Sequence, residues 1–245
     1  MKNINFKKLK TLAENQECKN DIAQNSEDIM NAYFSLEENL KNLFQNLKQD
    51  EAINYIISTQ NWINKKEHTK WKGEINGTKI SIGDIFIANL GSKYKPEIAY
   101  THPVSILEII KNYVLVIPTT TNTETYASAY HPIANPNGKK QYRRVESKDG
   151  FDKDCSLILS NILTISKGRL LDKKGCILDQ KLYDEIKMQT FYLSFPIQFR
   201  QYNNTIQELY FLKNNVKEFI KHFKSHLKNT QELNDMIQAM ENKLK

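Results

Sequence analysis

Cysteine is scarce in this chain of 245 residues, and where it stands excludes two ways of bracing a fold. Cys18, Cys155 and Cys176 lie far apart, with no Cys-x-x-Cys pair and no histidine at zinc spacing, so neither a disulfide framework nor a structural zinc is expected. Long apolar runs are missing as well. None approaches the roughly 20 residues of a membrane span, and the opening MKNINFKKLKTLAENQ is charged where a signal peptide would need its apolar core. No internal repeat is visible. The expectation is a cytoplasmic protein without a membrane anchor, a metal or a cofactor.

What is abundant is positive charge. The formal charge of +7 and a pI near 9.1 suit an anionic partner, of which nucleic acid is the commonest. Lys, Asn and Ile are frequent throughout, as an AT-rich genome would produce, so local placement of charge is more telling than the total.

The hydrophobic pattern divides the chain into three parts. From the N-cap Ser26, the residues Ile29, Met30, Tyr33, Phe34, Leu36, Leu40, Leu43, Phe44 and Leu47 recur at helical spacing. A second helix is predicted from about Asp50, with Ile53, Ile56, Ile57 and Trp62 on one face and the polar stretch Asn64 to Lys72 ending it. These form a helical N-terminal extension, residues 1–74. The middle part, 75–202, changes period: Ile80 to Leu90, Val104 to Ile110 and Tyr113 to Ile117 read as strands, the last two joined in hairpin fashion at Lys111-Asn112. Several short strands in succession predict a compact β-barrel. A polar stretch from Thr119 to Asp149 is expected to include a long loop. Leu157 to Leu159 and Leu163 to Ile165 add two strands, and Asp179 caps a helix from about Gln180 to Phe195. The last part, 203–245, is helical again. Leu209, Leu212, Val216, Phe219, Ile220, Phe223 and Leu227 share a face, and after a break near Asn229-Thr230 come Leu233, Met236, Ile237, Met240 and Leu244. Such stripes need a covering surface, in cis or on another chain.

Three motifs stand in fixed order in the middle part. Gly83-Asp84-Ile85-Phe86-Ile87-Ala88-Asn89-Leu90 is the first, Thr101-His102-Pro103 opens the next apolar run, and Gly150 to Leu170 reads GFDKDCSLILSNILTISKGRL. In this order they resemble the MazF/PemK toxins of type II toxin-antitoxin systems, over roughly Lys79 to Phe195. The resemblance implies an α+β fold with a small SH3-like, MazF-type barrel, here with helical extensions at both ends. It implies a homodimer that cleaves single-stranded RNA without a metal, and it admits a cognate antitoxin as partner.

Cutting RNA without a metal means that a ribose 2′-OH attacks the adjacent phosphate, so the site needs a base, an acid and positive charge. In the resembled family an arginine opening the second strand and a threonine ending the third form the catalytic pair, and the matching positions here hold His102 and Thr120. Histidine can be acid or base near neutral pH, yet it lacks the permanent charge and fork of a guanidinium. In Pro118-Thr119-Thr120-Thr121 the register is open by one residue, so Thr119 or Thr121 is an alternative hydroxyl. Glu97 matches an acidic loop position of the family and is a candidate to orient His102. Ser160 stands where some plasmid-borne members carry an acid, and Asp154 is expected to bond backbone.

RNA binding needs cations and stacking surfaces. Lys139-Lys140-Gln141-Tyr142-Arg143-Arg144 packs four positive charges and one aromatic into six residues. If it is a strand, alternation puts Lys140, Tyr142 and Arg144 on one face and Lys139, Gln141 and Arg143 on the other. Tyr94, with Lys93 and Lys95, is a further candidate. Two readings of function stay open: an endoribonuclease toxin, and a binding protein of the same fold, like the CcdB toxins, acting by contact alone.

Overall fold

In a computed structural model the described residues are 3–66, 74–75, 77–94, 96–226 and 231–243. Leu227, Leu244, Lys95, the break near Asn229-Thr230 and most of the stretch expected to end the second helix lie outside them, as do the side chains of Leu233 and Met236. The helices are α1 (Phe6–Glu14), α2 (Gln16–Asn20), α3 (Glu27–Phe44), α4 (Gln49–Lys66), α5 (Thr123–Ser128), α6 (Gln180–Ser194), α7 (Pro196–His226) and α8 (Gln231–Lys243). The strands are β1 (Glu74–Ile75), β2 (Thr78–Lys79), β3 (Asp84–Asn89), β4 (Thr101–Ile110), β5 (Tyr113–Thr120), β6 (Ala129–Tyr130), β7 (Lys139–Val145), β8 (Cys155–Ile158), β9 (Leu163–Ser166) and β10 (Leu170–Cys176). β1 and β2 pair as a ribbon, and the remaining eight strands form one sheet in the order β10-β3-β4-β5-β8-β7-β6, with β9 paired to β5. The class is mixed α+β, a sheet core flanked by helices.

The capping chemistry read from sequence is realised. Ser26 Oγ accepts from the Ile29 N–H at the start of α3, and Asp179 Oδ1 accepts from the Lys181 N–H at the start of α6. The β4–β5 hairpin turns at Lys111, whose φ of 49° is the left-handed value its two-residue loop requires.

Three expectations are corrected. The stretch from Thr119 to Asp149 holds no single long loop: Asn122 caps α5 through the Thr125 N–H, and a backbone bridge between His131 and Asn135 closes a compact turn before β7. Short polar caps, invisible to a count of apolar residues, organise it. The C-terminal helix begins at Pro196 rather than near Thr205, because proline at the first helical position needs no N–H partner. A last strand, β10, follows the Lys167–Arg169 turn over a charged segment whose sequence lacks the alternation of a half-buried strand.

The chain forms two compact units. The first comprises 1–80, 86–103 and 165–173. Within it, α4 is tied to the ends of β3, of the loop before β4 and of β10 by three polar contacts seven residues apart along the helix. Glu51 Oε1 accepts from the Tyr100 hydroxyl at 3.4 Å, Ser58 Oγ donates to Asn89 Oδ1 at 2.6 Å, and Lys65 Nζ donates to the Leu170 carbonyl at 2.6 Å. Seven residues are close to two helical turns, so all three stand on one face.

The second unit comprises 81–85, 104–164 and 174–245. Its core joins Ile85, Leu107, Ile117, Val145, Phe151, Leu157 and Leu159 to Tyr183 and Ile186 of α6. The Tyr183 hydroxyl donates to the Leu107 carbonyl at 2.5 Å, and rings of Phe191, Tyr192, Phe199 and Tyr202 meet edge-on where α6 passes into α7. Gly150 is dictated by geometry: its φ is 102°, and a Cβ there would sit 1.8 Å from the Cys176 carbonyl oxygen. The Gly150-Phe151 motif thus marks a crossing of two backbones.

Candidate functional site

Strand pairing in the second unit settles which hydroxyl and which arginine share a face. Thr120 on β5 is opposite Ser156 on β8, and Ser156 is opposite Arg144 on β7. Directly paired residues point to the same side of a sheet, so Thr120, Ser156 and Arg144 form one transverse row of two hydroxyls and a guanidinium. Neighbouring strands lie about 4.8 Å apart, so the row spans about 10 Å.

The next row, Thr119, Leu157 and Arg143, faces the other way, into the core under α6. Thr119 is buried there, within hydrogen-bonding reach of the Cys155 thiol. Burial, with Asp154 adding to it, pushes the Cys155 thiol up to about 12. Thr121 lies exposed beyond the end of β5. Of the three threonines left open by the sequence, Thr120 is therefore the one on the same face as Arg144, with Ser156 between them.

Each member of the row has distinct hydrogen bonding. Thr120 Oγ1 accepts from the Asn122 N–H at 3.2 Å, an arrangement that leaves its own O–H to donate elsewhere. Ser156 is 0 % exposed, and its Oγ has no hydrogen-bond partner. Arg144 donates through Nε and Nη2 to the Tyr126 carbonyl at 3.2 and 2.9 Å, and through Nη2 to the Ala127 carbonyl at 3.0 Å. These are last-turn carbonyls of α5, which a cation satisfies well. The Arg144 guanidinium also lies 4.6 Å from the centre of the Tyr126 ring. Burial first, then Asp154 and Glu146, raise the Tyr126 phenol above its ordinary value, so it stays neutral. Arg144 is thus oriented by one edge, with the Nη1 donors on the other.

The basic run is strand β7, and its members divide as alternation requires. Lys140, Tyr142 and Arg144 stand on the row's side, with Tyr142 opposite Ile158. On the other side Arg143 is only 4 % exposed, donating from Nη2 to Glu185 Oε2 at 2.8 Å with its guanidinium 5.4 Å from the Tyr130 ring. Burial in that ion pair corrects its assignment as an RNA contact: it ties β7 to α6. Lys139 and Lys140 are exposed at the strand's start.

His102 belongs to the first unit, on β4, half-buried, one residue after Thr101, whose Oγ1 is buried without a partner. The loop before it is closed at its neck by two backbone bonds, from Leu90 N to the Tyr100 carbonyl at 2.7 Å and from Tyr100 N to the Gly91 carbonyl at 2.6 Å. Tyr100 has a φ of 64°, a left-handed conformation that costs a non-glycine residue about 1 kcal/mol or more. Within the loop Glu97 is exposed and donates its N–H to the Tyr94 carbonyl, and Tyr94 is 87 % exposed. Asp154 bonds backbone as expected, accepting from the Ser147 N–H at 2.9 Å. Ser160 is exposed after β8. Ser156, Tyr126 and Asn89 were not singled out from sequence, because their significance depends on strand pairing.

Among the described residues no group of three or more His, Cys, Asp or Glu is placed to hold a metal ion, and no helix is long and apolar enough to cross a membrane.

The fold and the row define a small mixed α+β domain whose sheet carries Thr120, the buried Ser156 and the fixed guanidinium of Arg144 on one face. Residues 81–190 match the family model described as PemK-like, MazF-like toxin of type II toxin-antitoxin system, which supports the resemblance carried by the three sequence motifs. The match leaves the N-terminal helices and all of α7 and α8 outside it. Members of that family are endoribonucleases. Solved structures similar to the chain include a toxin titled Mycobacterium tuberculosis toxin MazF-mt6, at 19% identity and a TM-score of 0.32, covering 46% of this chain and 96% of that one. Another is titled an endoribonuclease in complex with its cognate antitoxin from Mycobacterial species, at 12% identity and a TM-score of 0.32, covering 47% of this chain and 93% of that one. Likeness at these scores carries no argument about function. No curated protein matches the chain.

Proposed function

We propose that the chain is an endoribonuclease toxin that cleaves single-stranded RNA without a metal, by attack of a ribose 2′-OH on the adjacent phosphate. The observation that supports this best is the row of Thr120, Ser156 and Arg144 on one face of the sheet. Hydroxyl donors and a guanidinium held by fixed carbonyls are what a phosphorane with developing negative charge requires.

In this reading the 2′-oxygen bonds to phosphorus as the bond to the 5′-oxygen breaks, giving a 2′,3′-cyclic phosphate and a 5′-hydroxyl. His102 exchanges a proton with the attacking or the leaving oxygen. Thr120 donates its hydroxyl proton to a non-bridging phosphate oxygen, and Glu97 orients the imidazole. Lys140 and Tyr142 hold the RNA strand on the face of Arg144, Lys139 adds charge from the exposed start of β7, and Tyr94 is a stacking surface on the loop, while Arg144 supplies charge at the phosphate. A homodimer in the cytoplasm, opposed by an antitoxin protein, completes the proposal.

The test is incubation of the purified chain with single-stranded RNA in EDTA, with product ends sequenced. Fragments with 2′,3′-cyclic phosphate and 5′-hydroxyl ends are expected, and His102→Ala and Thr120→Ala should each abolish them with little change in melting temperature. Wild-type rates in both variants would remove the assignment of the pair. One observation favours a second reading, a protein of the same fold acting by contact alone: His102 replaces the arginine of the resembled family and brings no permanent charge. An intact RNA after prolonged incubation supports that reading.

A further inference from the structure

The first unit holds a polar network that joins α4, which lies outside the family match, to Asn89 at the end of β3. Asn89 is 7 % exposed and Ser58 of α4 is 3 % exposed, and they form a reciprocal pair. Ser58 Oγ donates to Asn89 Oδ1 at 2.6 Å, and Asn89 Nδ2 donates back to the Ser58 carbonyl at 2.7 Å. The same Oδ1 accepts from the Gly91 N–H at 3.1 Å, and the Asn89 carbonyl accepts from Arg169 Nη1 at 3.1 Å. Two turns back along α4, Glu51 Oε1 accepts from the Tyr100 hydroxyl at 3.4 Å.

Gly91 and Tyr100 are the two residues that close the neck of the loop before His102. Both are therefore held twice: to each other by backbone, and to α4 through Asn89 and Glu51. Tyr100 keeps a left-handed backbone that a free loop would relax, and persistence of such a conformation requires that its surroundings determine it. Burial and the nearby Glu51 raise the Tyr100 phenol, which keeps its proton available to that carboxylate.

We propose that α4 is a positioning element for the site: through Ser58–Asn89 and Glu51–Tyr100 it fixes the loop neck and so the approach of His102 to the phosphate. Ser58, Asn89, Glu51 and Tyr100 are positioning residues that touch no substrate. The inference rests on the role of His102 proposed above, while the clamp itself can be tested without it.

The experiment uses the full chain and three variants, Ser58→Ala, Tyr100→Phe and Ser58→Thr. Ser58→Ala and Tyr100→Phe should raise amide hydrogen exchange at Gly91 and Tyr100 about tenfold. They should lower kcat for cleavage of a single-stranded RNA by about ten- to a hundredfold with KM little changed, the effect of a small misplacement in a reacting geometry. Ser58→Thr keeps the hydroxyl and should restore both. Tyr100→Phe keeps its ring and reports on the clamp even if Ser58→Ala folds poorly. Unchanged exchange at the neck in both loss variants overturns the proposal, as does a loss of activity expressed in KM alone. If the wild-type chain cleaves no RNA but exchange at the neck still rises, the clamp stands and the endoribonuclease reading falls.

Discussion

Replacing Arg143 by alanine separates a structural arginine from a binding one within a single basic run. Its side chain gives up a charge-assisted hydrogen bond to Glu185, which contributes about 1.5–3 kcal/mol, and a cation–π contact with Tyr130 of about 0.5–1 kcal/mol, besides the packing of its buried stem. Glu185 is 40% exposed along its side chain, so the carboxylate left behind is rehydrated and no buried charge is orphaned. The buried Nε, which has no partner, lowers the net gain from the native side chain. The balance is a loss of about 3 kcal/mol, and for a chain of this size that lowers Tm by about 6–12 °C. Thermal and urea unfolding of Arg143→Ala, Glu185→Gln and the double variant measure it, with a coupling of about 1–2 kcal/mol expected between the two. RNA binding gives the contrast. Arg143→Ala should leave the dependence of affinity on salt unchanged, whereas Arg144→Ala should flatten its logarithmic slope by about 0.7. An Arg143→Ala protein that melts within about 1 °C of wild type and binds RNA with a flattened slope would refute the reasoning.

His102→Arg restores the residue of the resembled family, so cleavage should be kept or raised. Its rate should also lose the limb of the pH profile due to an imidazole; a rate below that of His102→Ala would count against the matched position. Burial holds the Cys155 thiol at about 12 against an ordinary 9.0, and the Tyr183 phenol at about 12 against 10.0. Both groups are raised, so the stability they provide is complete below pH 9 and is lost as the pH climbs towards 12, because the unfolded chain ionises first. Urea unfolding between pH 8 and 11 should show the decline, at up to about 1.4 kcal/mol per pH unit for each group, and Cys155→Ala should make it shallower; identical slopes would show that Cys155 is accessible in the native state. A fragment of residues 77–200 lacks α4 and most of α7, and it should be insoluble, or lose any dimer and its activity, since the contacts at Tyr100, Asn89 and Leu170 go with α4. A soluble, dimeric and fully active fragment would make the flanks separable modules.

Local signals fixed the local structure. Ser26 and Asp179 announced their helices because a side-chain oxygen three or fewer residues from an orphan N–H is a short-range fact. The β4–β5 hairpin was legible from two apolar runs separated by Lys111-Asn112, and Gly150 from its place in a motif, although only the crossing with Cys176 explains it. The alternation along β7 was legible too, as two sets of residues whose faces were left unassigned.

Tertiary pairing decided the rest. Which set of β7 faces the core depends on where α6 lies, and Glu185 is distant in sequence from Arg143. That Thr120 rather than Thr119 or Thr121 shares a face with Arg144 depends on β8 running between β5 and β7, a fact that no residue of Pro118 to Thr121 carries. The partners of Ser58 and Glu51 are likewise invisible along the chain, since a polar residue on a helix reads as solvated until its contact folds against it. By itself the sequence determined the elements, their caps and the chemical types available for a site, because those follow from neighbours within a few residues. Only the tertiary structure decided which of those groups share a face, because strand order and helix docking are properties of residues far apart in the chain.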